Sequence, residues 1–251
     1  MGRVTAVALL ALLAAGCGRG RVERVEWPVM GTVAAVQADG KPADGAAAAK
    51  RVFAEVERLL NAHDGRSELR RLEKLTDDGI LAACDPSVRG CYEAAFRLRD
   101  ETGRLFNPRW RGEGTMDLGA IAKGWAADLA ADAAAAAQAE GRLLVDLGGN
   151  LKAARGDWLV GIAGTDETIA LKEGMACATS AEYYRGKHIR DGRTGGEATN
   201  GVWSVTIVHP HSATLADGLS TVMFLMGRAK GEAFLKARHP EARAIWKENG
   251  K

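Results

Sequence analysis

Apolar residues recur in this chain at two periods, and the irregular order in which the periods change constrains the fold most. Residues 45–63 place Val52, Val56, Leu59 and Leu60 on one helical face. Residues 67–72 predict a short helix capped by Ser67, and residues 86–102 a third helix closed by Gly103. Residues 121–140 predict a long helix whose alanine-rich second half needs little space. Residues 213–226 and a stretch around 232–238 complete the helical set. Period-two or short apolar runs between them predict strands: 25–37, folded about a turn at Met30-Gly31-Thr32, then 143–147, 158–161, 202–208 and 244–246. Strands and helices do not alternate strictly, there is no internal repeat, and the fold class expected is α+β.

A length of 251 residues with 47% hydrophobic content suits one domain with a real core. The net charge of +2 comes from scattered Lys and Arg, which gives no electrostatic footprint for nucleic acid. Residues 4–15 form an apolar run too short to span a bilayer, leading through Leu13-Ala14-Ala15-Gly16 into Cys17. That junction resembles the lipobox of bacterial lipoproteins, although leucine is commoner than Ala14 at its position. The expectation is therefore a signal peptide over 1–16, an acylated Cys17, a polar tether over 17–24 and a catalytic domain over 25–251, on a protein exported and lipid-anchored to the cell envelope facing the periplasm. Gly18 after Cys17 lacks the aspartate that often marks retention in the inner membrane. Cys84 and Cys91 are seven residues apart and can be bridged only if Pro86 starts a helix between them; otherwise about 10 Å of helix separates them. No cysteine or histidine spacing suggests zinc.

Four segments concentrate Gly, Asp, Ser and Thr within structured surroundings. Asp117-Leu118-Gly119-Ala120-Ile121-Ala122-Lys123-Gly124 leads into a helix whose N-terminus attracts phosphate. Asp146-Leu147-Gly148-Gly149-Asn150 follows a strand, and Ala178-Thr179-Ser180 precedes His188-Ile189-Arg190-Asp191. Ala216-Asp217-Gly218-Leu219-Ser220-Thr221 sets a carboxylate and a hydroxyl at i and i+4, a spacing that suits a hard cation with oxygen ligands. Each alone has a plainer reading: a helix-capping acid, a hairpin turn, a hydrogen-bonded loop, a threonine bonded back to its own helix.

In this order, with Met30-Gly31-Thr32 upstream, the segments resemble the FAD:protein FMN transferases, the ApbE-like family. The resemblance runs from Met30 to about Gly227. It implies a single ApbE-like (T-fold-like) domain of mixed sheets with packed helices. It further implies Mg2+ held by the main chain at Ala120 and by Asp217 and Thr221, with Ser220 adjacent. FAD as substrate would contact Met30, His63, Leu105, Phe106, Asn107, Asp117, Lys123, Ile189 and Arg190. FMN would pass to a Thr or Ser hydroxyl of an acceptor protein, AMP would leave, and His188, or else Asp217, would take the proton. The rival readings are an FAD pyrophosphatase, a non-catalytic FAD-binding lipoprotein and a structural envelope lipoprotein.

The chain departs from the family pattern in three places. It has Phe106-Asn107-Pro108-Arg109 for F-D-P-T and Thr179-Ser180-Ala181 for T-S-G. Only Arg109 to Met116 stand where relatives carry several dozen residues, which implies a more open FAD site with the metal and phosphate end preserved.

Overall fold

The computed structural model describes residues 21–138, 140–162, 165–181, 189–198 and 200–248. His188, Cys17 and the expected signal peptide lie outside the described residues.

Strands β1 (Val22–Val29) and β2 (Thr32–Asp39) form a hairpin about Met30 and Gly31, whose φ values of 50° and 67° give the left-handed pair that a two-residue turn requires. The segment expected to be a tether thus enters the sheet at Val22, which pairs with Asp39 of β2. Helices α1 (Ala43–Leu60), α2 (Glu68–Leu72), α3 (Asp77–Ala83), α4 (Pro86–Glu101) and α5 (Ala122–Ala137) follow. Next come β3 (Leu143–Leu147), β4 (Asn150–Arg155), β5 (Trp158–Gly161), β6 (Thr168–Leu171), β7 (Ala176–Ala181) and β8 (Val202–His209). Helices α6 (Ala213–Met226) and α7 (Arg228–Arg238) and strand β9 (Arg243–Glu248) close the chain.

Seven strands make one antiparallel sheet in the order β1-β2-β3-β4-β7-β8-β9, and β5 and β6 pair separately. Side-chain alternation divides the core. Ala34, Val36, Leu143, Val145, Leu147, Ala178 and Ile207 pack with α1, α4, α5 and α6 on one face. Leu144, Leu151, Ala153, Cys177 and Val208 pack against Trp158, Val160, Ile169 and Leu171 of the β5–β6 ribbon on the other. Helix α5 touches α1, α6, β3 and β4, and its Ala126, Ala127, Ala130, Ala131 and Ala134 are all buried. Methyl side chains let it lie close to all four at once. The α+β class is what the chain adopts.

Four elements escape the periodicity: α3, β4, β6 and β7. Helix α3 buries only Ile80, and Thr76 caps it by accepting the Gly79 N–H at 3.2 Å. Strand β4 looks polar because of Lys152, yet it runs through the middle of the sheet. The Lys152 ammonium is buried because the carbonyls of Gly174 (2.8 Å) and His211 (2.6 Å) accept its protons. Pro86 does start α4 between Cys84 and Cys91, but both thiols are free, as is Cys177.

Candidate functional site

The β1–β2 and β3–β4 turns lie side by side at one end of the sheet, since Ala34 pairs with Leu147 and Leu147 with Asn150. Gly148 and Gly149, at φ 60° and 91°, make the second turn, so the plain hairpin reading of that motif holds. A Cβ on Gly148 would stand 2.4 Å from Thr32 Oγ1, so the methionine-glycine-threonine turn rests directly on the double-glycine turn. Buried Asp146 braces it by accepting the Gly149 N–H at 2.9 Å, and burial raises its carboxyl above the usual carboxylate range. The register of β4 with β7 carries Thr179 and Ser180 to this same end.

There Ser180 Oγ meets Ser220 Oγ at 2.8 Å and Thr221 Oγ1 at 3.4 Å. Ser220 is fully buried and bonds back to the Asp217 carbonyl at 2.8 Å. Thr221, only half-buried, therefore offers the more accessible hydroxyl of the two. Asp217 is 6% exposed, and its Oδ2 accepts the Gly124 N–H of α5 at 2.9 Å. Lys123 Nζ donates to the Gly119 carbonyl at 3.0 Å and stands 3.7 Å from Asp217 Oδ2. A cationic group thus already sits between a main-chain carbonyl of the Asp117–Ala120 turn and the α6 carboxylate. Burial first, and then the Asp217 charge, push the Cys91 thiol well above its ordinary value.

The expected metal ligands therefore fall on adjoining segments. Asp217 and Thr221 are one turn apart on α6, and Ala120 is next to Gly119, whose carbonyl shares Lys123 with Asp217. Carboxylate, hydroxyl and carbonyl oxygens are hard donors of the kind magnesium takes. Among the described residues no group of three or more His, Cys, Asp or Glu side chains could hold a metal, so a cation here would add neutral and substrate oxygens to the Asp217 carboxylate. Asp117 is not the cap of α5: its Oδ1 accepts the Gly119 N–H at 2.9 Å, and Arg111 stands 3.6 Å away. Ile121, the residue before α5, supplies no side-chain cap, and Asp217 of α6 fills that role.

Of the residues expected at the flavin, two segments come together. Gly192 N donates to the Leu105 carbonyl at 2.8 Å and Asn107 Nδ2 to the Gly192 carbonyl at 3.1 Å, so residues 105–107 and 189–192 form one patch. A Cβ on Gly192 would stand 2.4 Å from Asn107 Cβ, which explains the glycine. Leu105, Phe106 and Ile189 are buried, while Asn107 and Arg190 are half-buried. Arg190 is held 3.4 Å from Glu197. Met30 is half-buried with its N–H on Glu57 Oε1 at 3.0 Å, and His63 is exposed just beyond α1.

The segment from Arg109 to Met116 is pinned at its base by Asp117 N–H to the Pro108 carbonyl, 2.8 Å. Arg109 turns inward, donating to the carbonyls of Glu73 (2.5 Å) and Leu75 (2.7 Å) beside Asp77 (3.5 Å). The departure at Arg109 is thus a buried cation that ties the loop to the α2–α3 corner. Ser180 and Gly124 stand in the motifs without an evident role and Asp128 lies just beyond one; their contacts span 40 residues or more of chain, which no local pattern reports.

The sequence model of the ApbE family matches residues 109–246, more than half of the chain. The chain belongs to the ApbE family. It is 36% identical over 137 residues to a protein named FAD:protein FMN transferase from Klebsiella pneumoniae (strain 342), and 37% identical over 148 residues to one of the same name from Treponema pallidum (strain Nichols). These matches cover 49% and 48% of this chain and 42% and 40% of those proteins, so the matched stretch spans about two fifths of their length. The solved flavin transferase ApbE from Vibrio cholerae superposes with a TM-score of 0.76 at 22% identity, over 92% of this chain and 95% of that one. The apo flavinyl transferase ApbE from Pseudomonas stutzeri gives 0.77 at 18% identity, over 94% of each. At these identities the superpositions establish the ApbE fold.

Proposed function

We propose that this protein is a magnesium-dependent FAD:protein FMN transferase. In the reaction, the hydroxyl oxygen of an acceptor Thr or Ser bonds to the phosphorus nearer riboflavin. The bond from that phosphorus to the AMP moiety breaks, AMP leaves, and the hydroxyl proton passes to a base. The observation that carries this reading is the junction of α5 and α6, where Asp217, Lys123 and the Gly119 carbonyl meet beside Thr221. Asp217, Thr221 and the carbonyl of Ala120 would hold magnesium, which when bound neutralises charge on phosphate oxygens. Lys123 adds a second positive charge for the pyrophosphate. Residues 105–107 and 189–190, Met30, His63 and Asp117 would orient the rest of FAD. His188 is proposed as the base, with Asp217 as the alternative. The family relatives' names support FAD and an acceptor protein as partners. A lipid anchor at Cys17, after removal of residues 1–16, would hold the enzyme on the periplasmic side of the envelope.

The test is to incubate the protein with FAD, Mg2+ and an acceptor carrying a target threonine, with and without chelator, and to read covalent flavin by in-gel fluorescence. Labelling that disappears with chelator and with Asp217→Ala is expected. Release of FMN and AMP without labelling would convert the reading to a pyrophosphatase, and FAD binding without turnover to a non-catalytic flavin carrier. Cys17→Ala should move the protein from the membrane fraction to the soluble one.

A further inference from the structure

Helices α5 and α6 each cap the other. Gly124 lies in the first turn of α5, where backbone N–H groups have no partner within the helix. Its N–H goes to Asp217 Oδ2 of α6 at 2.9 Å. One turn along α5, Asp128 returns the contact: Oδ1 accepts the Ala213 N–H at 2.9 Å, and Oδ2 accepts the Thr214 N–H at 2.9 Å and the Thr214 hydroxyl at 2.7 Å. Positions 124 and 128 on one helix and 213 and 217 on the other are both four apart, so the two rungs are separated by about 6 Å of helix rise. Nothing fills the space between them, because a Cβ on Gly124 would lie 2.2 Å from the Ala213 carbonyl oxygen. Ser212 already caps α6 from its own chain, accepting the Leu215 N–H at 3.1 Å. Asp128 takes the Ala213 and Thr214 N–H groups that Ser212 leaves open, so the cap of α6 is completed from α5. Lys152 of β4, 3.4 Å from Oδ1, fixes the Asp128 carboxylate to the sheet.

We propose that Asp128 is a positioning residue for the cation site: it locks the register of α6 against α5, and so the distance of Asp217 and Thr221 from the Gly119–Ala120 carbonyls. The inference rests on the transferase reading for the identity of the cation, but not for the geometry.

The experiment titrates Mn2+ into the whole protein, reading free Mn2+ by electron paramagnetic resonance, and separately measures the Mg2+ dependence of FMN transfer. Asp128→Asn keeps the shape but sets an NH2 group against a donor. It should weaken Mn2+ binding about tenfold, the worth of one hydrogen bond to a charged acceptor, and raise the Mg2+ needed for half-maximal transfer alike. The KM for FAD and the rate at saturating Mg2+ should change far less. A loss of folded protein alone would instead lower activity equally at every Mg2+ concentration. Thr214→Val removes only the hydroxyl contact and should give a smaller shift in the same direction, which keeps the test open if Asp128→Asn does not fold. Unchanged Mn2+ affinity in both variants overturns the proposal. Wild-type protein that binds Mn2+ but transfers no FMN would sink the transferase reading and leave the Asp128 result to stand on binding; wild-type protein that binds no Mn2+ sinks both.

Discussion

Replacing Gly124 by alanine sets two effects of opposite sign against each other. Its backbone is ordinary helix, so on propensity alone alanine should stabilise α5 by about 1 kcal/mol. The space argument runs the other way. The added Cβ would meet the Ala213 carbonyl oxygen at 2.2 Å, the Ala213 carbonyl carbon at 2.7 Å and Asp217 Cβ at 2.7 Å. These are backbone or backbone-anchored atoms that cannot swing aside. Restoring ordinary contact at 3.4 Å requires the helices to part by 3.4 − 2.2 = 1.2 Å. That retreat also takes the 2.9 Å bond from Gly124 N–H to Asp217 beyond hydrogen-bonding range. Overpacking costs about 1–3 kcal/mol and losing a bond to a charged acceptor about 1.5–3 kcal/mol, against the 1 kcal/mol gained, a net loss of about 2–5 kcal/mol. For a chain of this size the melting temperature should fall by about 5–15 °C in calorimetry. A shift of about 1 Å at the proposed cation site should cost about a hundredfold in FMN transfer. A Gly124→Ala protein as stable as wild type, or more so, would refute the reasoning, because propensity would then be the only effect and the helices would not be in contact there.

Arg109→Ala should destabilise the fold by about 3 kcal/mol, since it strips a buried cation from two carbonyls and Asp77. Arg109→Thr, the family's own residue, should do no better in urea unfolding. His209 accepts the N–H groups of His211 and Ser212 on Nδ1 at 3.1 and 3.0 Å, and burial holds its pKa below the usual 6.5. The unfolded chain therefore binds the extra proton first, so this stability is present above pH 6.5 and is lost as pH falls toward the folded value, by at most about 1.4 kcal/mol per pH unit. His209→Asn, which keeps an acceptor near Nδ1, should flatten that part of a urea-midpoint profile between pH 7.5 and about 5. Burial pushes the Cys177 thiol up to about 12 and Cys91 higher still, so a thiol reagent at pH 8 should leave both unmodified in the native protein and react with them, and with Cys84, after denaturation without reductant. Failure of Cys84 and Cys91 to react in denaturant would mean that they are bridged.

The sequence by itself determined the helices with strong periodicity, the two glycine turns, the α+β class and the family. Each depends on interactions within a few residues: apolar spacing along one face, a capping hydroxyl, a left-handed φ that only glycine adopts cheaply. It also placed Asp217 and Thr221 on one helix face, because i and i+4 fixes that without any tertiary contact.

Only the tertiary structure decided what those residues face. Strand β4 was hidden because Lys152 looks like a surface residue until three distant oxygens, on Gly174, His211 and Asp128, neutralise it inside. The burial of Phe106 in the core depends on segments that no spacing rule connects to it. Asp128 and Gly124 pass for ordinary helix residues. Their contacts come from α6, about ninety positions later, where shape and hydrogen-bond complementarity set the register of the two helices.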